Sequence, residues 1–125
     1  MCIRDSDKSD YKSSERKDLV KSKKAIDQNI DEKIFTLIDA RSRERFEGKI
    51  PEPRKGLRSG CIKNSFCIPF NDCLNEDKTF KNKDELKKIF KTSIENLEEK
   101  KIVFSCGSGV TACVLALAYL SLIHI

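Results

Sequence analysis

The chain has 125 residues, the length of one ordinary domain, and its composition is 38% hydrophobic and 36% charged, which is typical of a globular protein. Its net charge of +5 comes from 25 basic and 20 acidic residues, and because Lys-rich stretches such as 81–91 are mixed with acids we expect solvated helix faces and no nucleic-acid partner. The longest apolar stretch, 110–125, is interrupted by polar residues and is too short to span a bilayer, so we also expect no membrane partner.

Cysteine usage and the N-terminal residues bear on the compartment. The six cysteines lack the spacing of a disulfide framework, which favours reduced thiols. The N-terminus has no apolar segment of the kind found in secretory signals. Together these features predict a cytoplasmic protein.

The two ends of the chain resemble translated sequencing adapters. Back-translation of residues 1–6 matches a transposon mosaic-end adapter, and residues 120–125 match its reverse complement. We therefore interpret both hexapeptides as adapter-derived tails, which are excluded from reasoning about the fold. Residues 7–18 are polar and aperiodic and are interpreted as a linker, which leaves 19–119 as a domain that we expect to be truncated.

The first half of that domain alternates helical and extended patterns. Residues 23–30 form a short predicted helix with Ser22 as its N-cap. The apolar, β-branched run 34–38 predicts a buried strand that ends at Asp39. A helical turn at 43–46 and a loop rich in Gly and Pro at 48–60 follow.

The second half continues the alternation. We expect a strand at 65–69, an irregular segment at 71–80, an amphipathic helix at 84–91, a strand at 101–105 and an apolar helix at 111–119. Strands that alternate with helices predict an α/β fold with a central parallel sheet flanked by helices.

The segment with the clearest chemistry is the turn between the last strand and the last helix, CGSGVTA at 106–112. Ligands of parallel sheets bind at the carboxyl ends of strands, where Cys106 lies. The glycines allow successive N–H groups to point at one centre, and the following helix adds its positive dipole end. A thiolate there would have a depressed pKa and would be reactive. A Gly-rich turn with an inert cysteine is the alternative, and the local pattern leaves the two equally open.

Several separated motifs resemble one family. They are LIDAR at 37–41, RF at 45–46, PEPR at 51–54, GLRSG at 56–60, IPF at 68–70 and the 106–112 loop. In this order and spacing they resemble the catalytic C-terminal domain of 3-mercaptopyruvate sulfurtransferases, members of the two-domain rhodanese family. The resemblance implies a rhodanese-like fold whose final strand and helix, and whose N-terminal partner domain, are missing from this fragment.

The resemblance also implies a mechanism without a cofactor. Cys106 would take sulfur from mercaptopyruvate as a persulfide, release pyruvate and pass the sulfur to cyanide or to a thiol acceptor such as thioredoxin. Ser108 would orient the substrate or relay a proton. Arg45 and Arg54 would bind the substrate carboxylate, whose geometry a guanidinium matches.

Other roles in the site concern the loop and its support. The loop residues Gly107, Gly109, Val110 and Thr111 would surround the substrate and the reacting sulfur. Asp39 is expected to pair with a nearby arginine and shape the site, and Arg41 is expected to be structural. Solvation of the arginines and helix capping by Ser108 and Thr111 are the simpler alternatives.

Two positions of this chain can be compared with the same positions in members of the family, and the first bears on the expected substrate. Thiosulfate-preferring relatives carry Arg-Lys where this chain has Gly107-Ser108, so the neutral loop favours mercaptopyruvate. Cys61 stands where the family usually has His. Thiosulfate sulfurtransferase and a non-catalytic rhodanese-like module remain the alternatives. The spacing of Cys61, Cys67 and Cys73 is not that of a zinc site, and no metal is expected.

Overall fold

The computed structural model describes residues 9–95, 97 and 101–123. The helices in this part are α1 (Lys23–Glu32), α2 (Arg43–Phe46), α3 (Lys83–Lys91) and α4 (Val110–Ile123), and the strands are β1 (Thr36–Asp39), β2 (Phe66–Cys67) and β3 (Ile102–Ser105). Two short 3-10 helices cover Lys17–Leu19 and Phe70–Cys73. Among the described residues, no helix has the length and hydrophobicity needed to cross a membrane.

The strands form one parallel sheet in the order β2-β1-β3. Asp39, the last residue of β1, is in register with Cys67 on one side and with Ser105 on the other. The carboxyl ends of all three strands therefore meet at one edge. The predicted α/β class, with a parallel sheet flanked by helices, is confirmed.

The core lies between this sheet and the helices α3 and α4. Apolar side chains of the sheet pack against apolar side chains of both helices, and the most deeply buried are Ile38, Ile68, Phe90, Ile94 and Leu115. The rings of Phe90, Phe104 and Tyr119 lie with centroids 5.5–6.3 Å apart in tilted or edge-on arrangements, which are favoured geometries. Phe104 belongs to β3, so this cluster anchors the strand that ends immediately before Cys106.

Polar caps set the starts of the helices, as the sequence predicts for α1. The Ser22 side chain accepts a hydrogen bond from the N–H of Ala25 at 3.3 Å. Ser42 caps α2 in the same way through the N–H of Arg45, and α3 begins with a full capping box between Asn82 and Glu85. Each cap satisfies N–H groups that the first turn of a helix leaves without a partner.

Several boundaries differ from the predictions. β1 begins at Thr36, because Ile34 is 57% exposed and lies outside the sheet. The segment 71–80, predicted to be irregular, contains most of the second 3-10 helix and a bridge between Leu74 and Phe80. The backbone of Phe35, just before β1, pairs with the Asn29 side chain instead of a neighbouring strand, a contact that periodicity does not detect.

The last helix, α4, is longer than expected and has two different faces. It runs from Val110 to Ile123, beyond the predicted 111–119. The apolar character of 111–119 predicts that Cys113, in the middle of this segment, is a small core residue. That prediction is wrong, because Cys113 lies on the exposed face with Leu117 and Leu120. Residues 120–123 belong to this helix, whereas 1–6 and 124–125 lie outside the described residues. The assignment of both ends to adapters, and the division of the chain at 7, 19 and 119, stay predictions.

Candidate active site

Cys106 directly follows β3 at the carboxyl edge of the sheet. The N–H of Ala40 donates to the carbonyl of Ser105 at 2.8 Å, which holds the ends of β1 and β3 together. Cys106 is partly buried and packs against the hydrophobic core. Its backbone position is therefore set by the paired ends of β1 and β3 and by the core beneath them.

The turn after Cys106 directs backbone donors at its sulfur. The N–H of Gly109 donates to Sγ at 2.9 Å. Gly109 has a φ of +91°, a conformation that strains residues with a side chain, so glycine is required for this geometry. Helix α4 begins at the next residue, and its N-terminal dipole end lies beside the sulfur.

The pKa of Cys106 is the balance of two opposing effects. Partial burial raises the pKa, but hydrogen bonds from the Thr111 side chain and from the backbone at Ala112, Ser108 and Gly109 outweigh it. The resulting pKa lies below the ordinary value of a thiol. Since the thiolate is the nucleophilic form, this arrangement favours a reactive cysteine over an inert one.

Arg45 reaches the same loop from α2. A Cβ placed on Gly107 would lie 3.1 Å from Nη2 of Arg45, so the guanidinium borders the loop and Gly107 leaves room for it. The Arg45 side chain is 24% exposed and can still meet a ligand. The structure thus brings Arg45 to the residue that follows Cys106, although the two are far apart in sequence.

The carboxylate of Glu52 holds Arg45 in place. No role in the site was predicted for Glu52 from the sequence. Glu52 accepts from Arg45 Nε at 3.2 Å and from Nη2 at 2.5 Å. The same carboxylate accepts from Arg41 Nη1 at 2.7 Å, and its side chain is only 4% exposed. The hydrogen bonds from Arg45, together with the charges of both arginines, lower the pKa of Glu52 despite its burial. The feature of the sequence that could have indicated Glu52 is its position between two prolines, Pro51 and Pro53.

Asp39 pairs with Arg41, as expected from its position at the end of a strand. Arg41 Nη2 lies 2.6 Å from one carboxylate oxygen, and Nε lies 3.0 Å from both. Arg41 also donates to the carbonyl of Gly60 at 2.8 Å, which ties the 48–60 loop to the sheet. Asp39 therefore supports the site through Arg41.

The remaining predicted site residues lie at different distances from this centre. Thr111 is in the first turn of α4 and interacts with Cys106. Ser108 and Val110 are exposed in the same turn. The structure does not bring Arg54 to the loop by any contact: Arg54 is exposed, and its side chain has no hydrogen-bond or ion-pair partner in the described part of the chain.

The other cysteines lie in different surroundings. Burial raises the pKa of Cys67 and of Cys73 to about 11. Cys61 is partly exposed, and every cysteine in the part of the chain that the structure describes is a free thiol. Within that part, no group of three or more His, Cys, Asp or Glu side chains is placed to hold a metal ion.

Two cavities, of about 730 and 420 Å³, open at the opposite end of the sheet. Their walls share Ile34, Phe35 and Lys101, at the amino ends of the strands. Neither is lined by Cys106 or Arg45. We assign the site to the carboxyl edge, because the activated thiol and the directed donors are there, whereas the cavities are open and hold no comparable group.

Comparison with known proteins identifies the family of the chain. The family model described as Rhodanese-like domain matches residues 22–123. The chain belongs to the rhodanese-like domain family. This rhodanese-like chain is 47% identical over 92 residues to thiosulfate/3-mercaptopyruvate sulfurtransferase 1, mitochondrial, of Arabidopsis thaliana, an alignment that covers 74% of this chain and 24% of the relative.

Animal and bacterial relatives are similar in the same way. The chain is 42% identical to mouse 3-mercaptopyruvate sulfurtransferase over 94 residues, which cover 75% of this chain and 31% of the relative. The crystal structure of SseA from Escherichia coli, described as a 3-mercaptopyruvate sulfotransferase, superposes with a TM-score of 0.74 at 30% identity and covers 90% of this chain and 41% of that one. This rhodanese-like chain thus spans about a quarter to a third of the length of these curated relatives.

Proposed function

We propose that this chain is the catalytic part of a sulfurtransferase that takes sulfur from 3-mercaptopyruvate. The Cys106 thiolate attacks the substrate thiol sulfur and the carbon–sulfur bond breaks. The electron pair of that bond leaves as the enolate of pyruvate, which takes up a proton. Cys106 then carries a persulfide, whose outer sulfur an acceptor thiolate or cyanide attacks, regenerating the Cys106 thiolate. The observation that carries this proposal is the thiol of lowered pKa within a ring of donors, next to the guanidinium of Arg45.

Each predicted site residue has a part in this scheme. Arg45 binds the substrate carboxylate, and exposed Arg54 joins it when the substrate is present. The backbone at Gly107, Gly109 and Val110 holds the reacting sulfur, with the Thr111 hydroxyl as a further donor. The Ser108 hydroxyl orients the substrate or relays a proton to the departing pyruvate. Asp39 supports the site through its ion pair with Arg41.

Thiosulfate is the second candidate substrate, since the Arabidopsis relative is named for both sulfur donors. Gly107 and Ser108 are neutral and supply no fixed charge for a dianion, which favours mercaptopyruvate. A non-catalytic module is disfavoured by the lowered pKa of Cys106, because an inert thiol needs no ring of donors.

The proposed partners follow from the same chemistry and from the partial coverage of the relatives. A further N-terminal rhodanese-like domain would complete the substrate pocket, and a small thiol protein such as thioredoxin would accept the sulfur. We propose the cytoplasm as the location, since the described cysteines are all free thiols and a reducing compartment keeps a persulfide-forming cysteine available.

Mass spectrometry of the chain after incubation with each donor tests the proposal. Mercaptopyruvate is expected to add one sulfur atom to Cys106, removable by a reducing thiol, whereas thiosulfate adds little. Cys106→Ser should abolish the addition, and the matched variant Cys113→Ser, on the exposed face of α4, should retain it. Equal loading by thiosulfate would favour the second candidate. A folded chain that no donor loads would favour the non-catalytic module.

A further inference from the structure

We propose that Glu52 is a positioning residue: it holds one edge of the Arg45 guanidinium so that the opposite edge is presented to a carboxylate at the Cys106 loop. This inference deepens the proposed function and rests on it for the identity of the substrate. It concerns the class of anion that the site selects, a planar carboxylate carried next to the reacting atom.

The hydrogen bonds define which part of the guanidinium remains available. Glu52 engages Nε and one N–H of Nη2, the pair of donors along the side of the group. Nη1 and the second N–H of Nη2 have no partner among the described residues, and they form the end edge, which can bind a second carboxylate through two parallel bonds. Nη2 lies 3.1 Å from the position that a Cβ on Gly107 would take, so this end of the guanidinium borders the loop that carries the nucleophile.

Glu52 is itself held rigidly. Its carboxylate is buried and accepts a second arginine, Arg41, which is fixed in turn by Asp39 and by the carbonyl of Gly60. A continuous set of ion pairs therefore runs from the end of β1 to Arg45. A long, flexible side chain is ordered before the substrate arrives, which removes part of the entropic cost of binding. The four charges sum to zero, so the role of the set is orientation rather than net attraction.

This role predicts an effect of opposite sign to that of simple charge. Removing the carboxylate makes the surroundings of Cys106 more positive, so charge alone would strengthen the attraction of an anion. Loss of positioning would weaken it, since Arg45 could then turn away from the loop. A measurement that compares an anionic with a neutral reagent distinguishes the two.

The experiment uses iodoacetate and iodoacetamide, which modify the same thiol but differ in the carboxylate. The ratio of their rates at Cys106, measured by peptide mass spectrometry on the full 125-residue chain, cancels general changes in thiol reactivity and access. We expect Glu52→Gln and Glu52→Asp to lower this ratio about threefold or more. Gln lacks the negative charge and Asp is shorter, so neither side chain can pair with both arginines as Glu52 does. Glu44→Gln, which removes an exposed carboxylate from α2, the helix that carries Arg45, should leave the ratio unchanged.

Variants of Arg45 test whether Glu52 changes the ratio of the two alkylation rates through Arg45. Arg45→Ala should lower the ratio by itself, and adding Glu52→Gln to it should cause no further fall. Arg45→Lys keeps the charge and leaves the pair between Arg41 and Glu52 intact, yet it lacks the second edge and should also lower the ratio. Thermal melting of each variant establishes that it is folded. If the Glu52 variants do not fold, the ratio measured for Arg45→Lys tests the proposal.

A folded Glu52→Gln with a ratio equal to or above that of the wild type would overturn the proposal, and so would an unchanged ratio in Arg45→Lys. The half-saturating concentration of mercaptopyruvate for persulfide formation should rise in the Glu52 variants, with little change in the rate at saturation. If the wild type forms no persulfide but the ratio falls as expected, the positioning role stands and the proposed function fails.

Discussion

Two cysteines lie at the carboxyl edge of the same sheet, and their environments are opposite. Cys67 ends β2, and its thiol donates to the carbonyl of Arg41 at a distance of 3.7 Å. Cys106 follows β3, and its sulfur accepts from the N–H of Gly109. Burial raises the pKa of Cys67 to about 11, whereas the donors around Cys106 bring its pKa below the ordinary value in spite of burial.

The difference lies in which backbone groups face the sulfur. A carbonyl accepts from the protonated thiol and does nothing for the anion, whereas N–H groups stabilise the thiolate. Cys106 has them because a glycine with positive φ and the start of a long helix follow it. After Cys67 the chain continues into the short 3-10 helix at Phe70–Cys73, which adds no such ring of donors. Position at the edge of the sheet is therefore insufficient to make a cysteine reactive.

The largest expected effect is the difference in alkylation between these two cysteines. At neutral pH, iodoacetamide should modify Cys106 at least about tenfold faster than Cys67, because a larger fraction is thiolate even after allowing for the greater nucleophilicity of the more basic thiolate. The rate at Cys106 should also rise at lower pH than the rate at Cys67. Peptide-resolved labelling at several pH values measures both, and equal rates would remove the basis of the comparison.

A smaller effect is expected on stability, from the buried Cys73. Its pKa rises from 9.0 to about 11 on folding, so the unfolded chain loses this proton first. The stability that Cys73 contributes is complete below pH 9.0 and is lost as the pH rises towards 11. Cys73→Ala should therefore reduce the alkaline loss of unfolding free energy by about 2 kcal/mol. Denaturant unfolding at pH 8 to 11 measures it; Cys113→Ala, at an exposed site, should follow the wild type, and parallel curves for all three proteins would contradict the prediction.

The smallest effect concerns one donor of the ring around Cys106. Thr111→Val removes the hydroxyl that lowers the pKa of Cys106 and should slow its alkylation at neutral pH by about threefold. The pH at which the alkylation rate of Cys106 rises should shift to a higher value. Thr92→Val, at the end of α3 far from the loop in sequence, is the matched control. An unchanged profile in Thr111→Val would mean that the backbone donors alone set the reactivity.

The part of the site that lies within one continuous segment could be predicted from the sequence. Gly109 between Cys106 and an apolar helix implies a turn of converging N–H groups, and the lowered pKa agrees with that expectation. The pairing of Asp39 was also accessible, because an acid at the end of a strand needs a cation when it is buried. Both depend on local geometry, which short patterns encode well.

The role of Glu52 and the exposure of Cys113 could not be predicted from the sequence. Glu52 becomes important only when the 48–60 loop folds back on the end of β1 and brings two arginines to one carboxylate. Cys113 was assigned to the core because α4 is apolar on all sides, so its periodicity does not indicate which face is buried. The packing of α3 and the second 3-10 helix against α4 decides that face, and this information lies outside the helix.

By itself, the sequence determined the alternation of strands and helices, the caps of α1 and the identity of Cys106 as the candidate nucleophile, since each follows from residues that are neighbours in the chain. Only the tertiary structure decided that Arg45 borders the loop, that Glu52 holds it there, that Arg54 remains in solvent, and that Cys67 and Cys106 differ in reactivity. The physical reason is that a charge or a thiol takes its properties from the groups around it in space. Most of those groups come from distant parts of the chain.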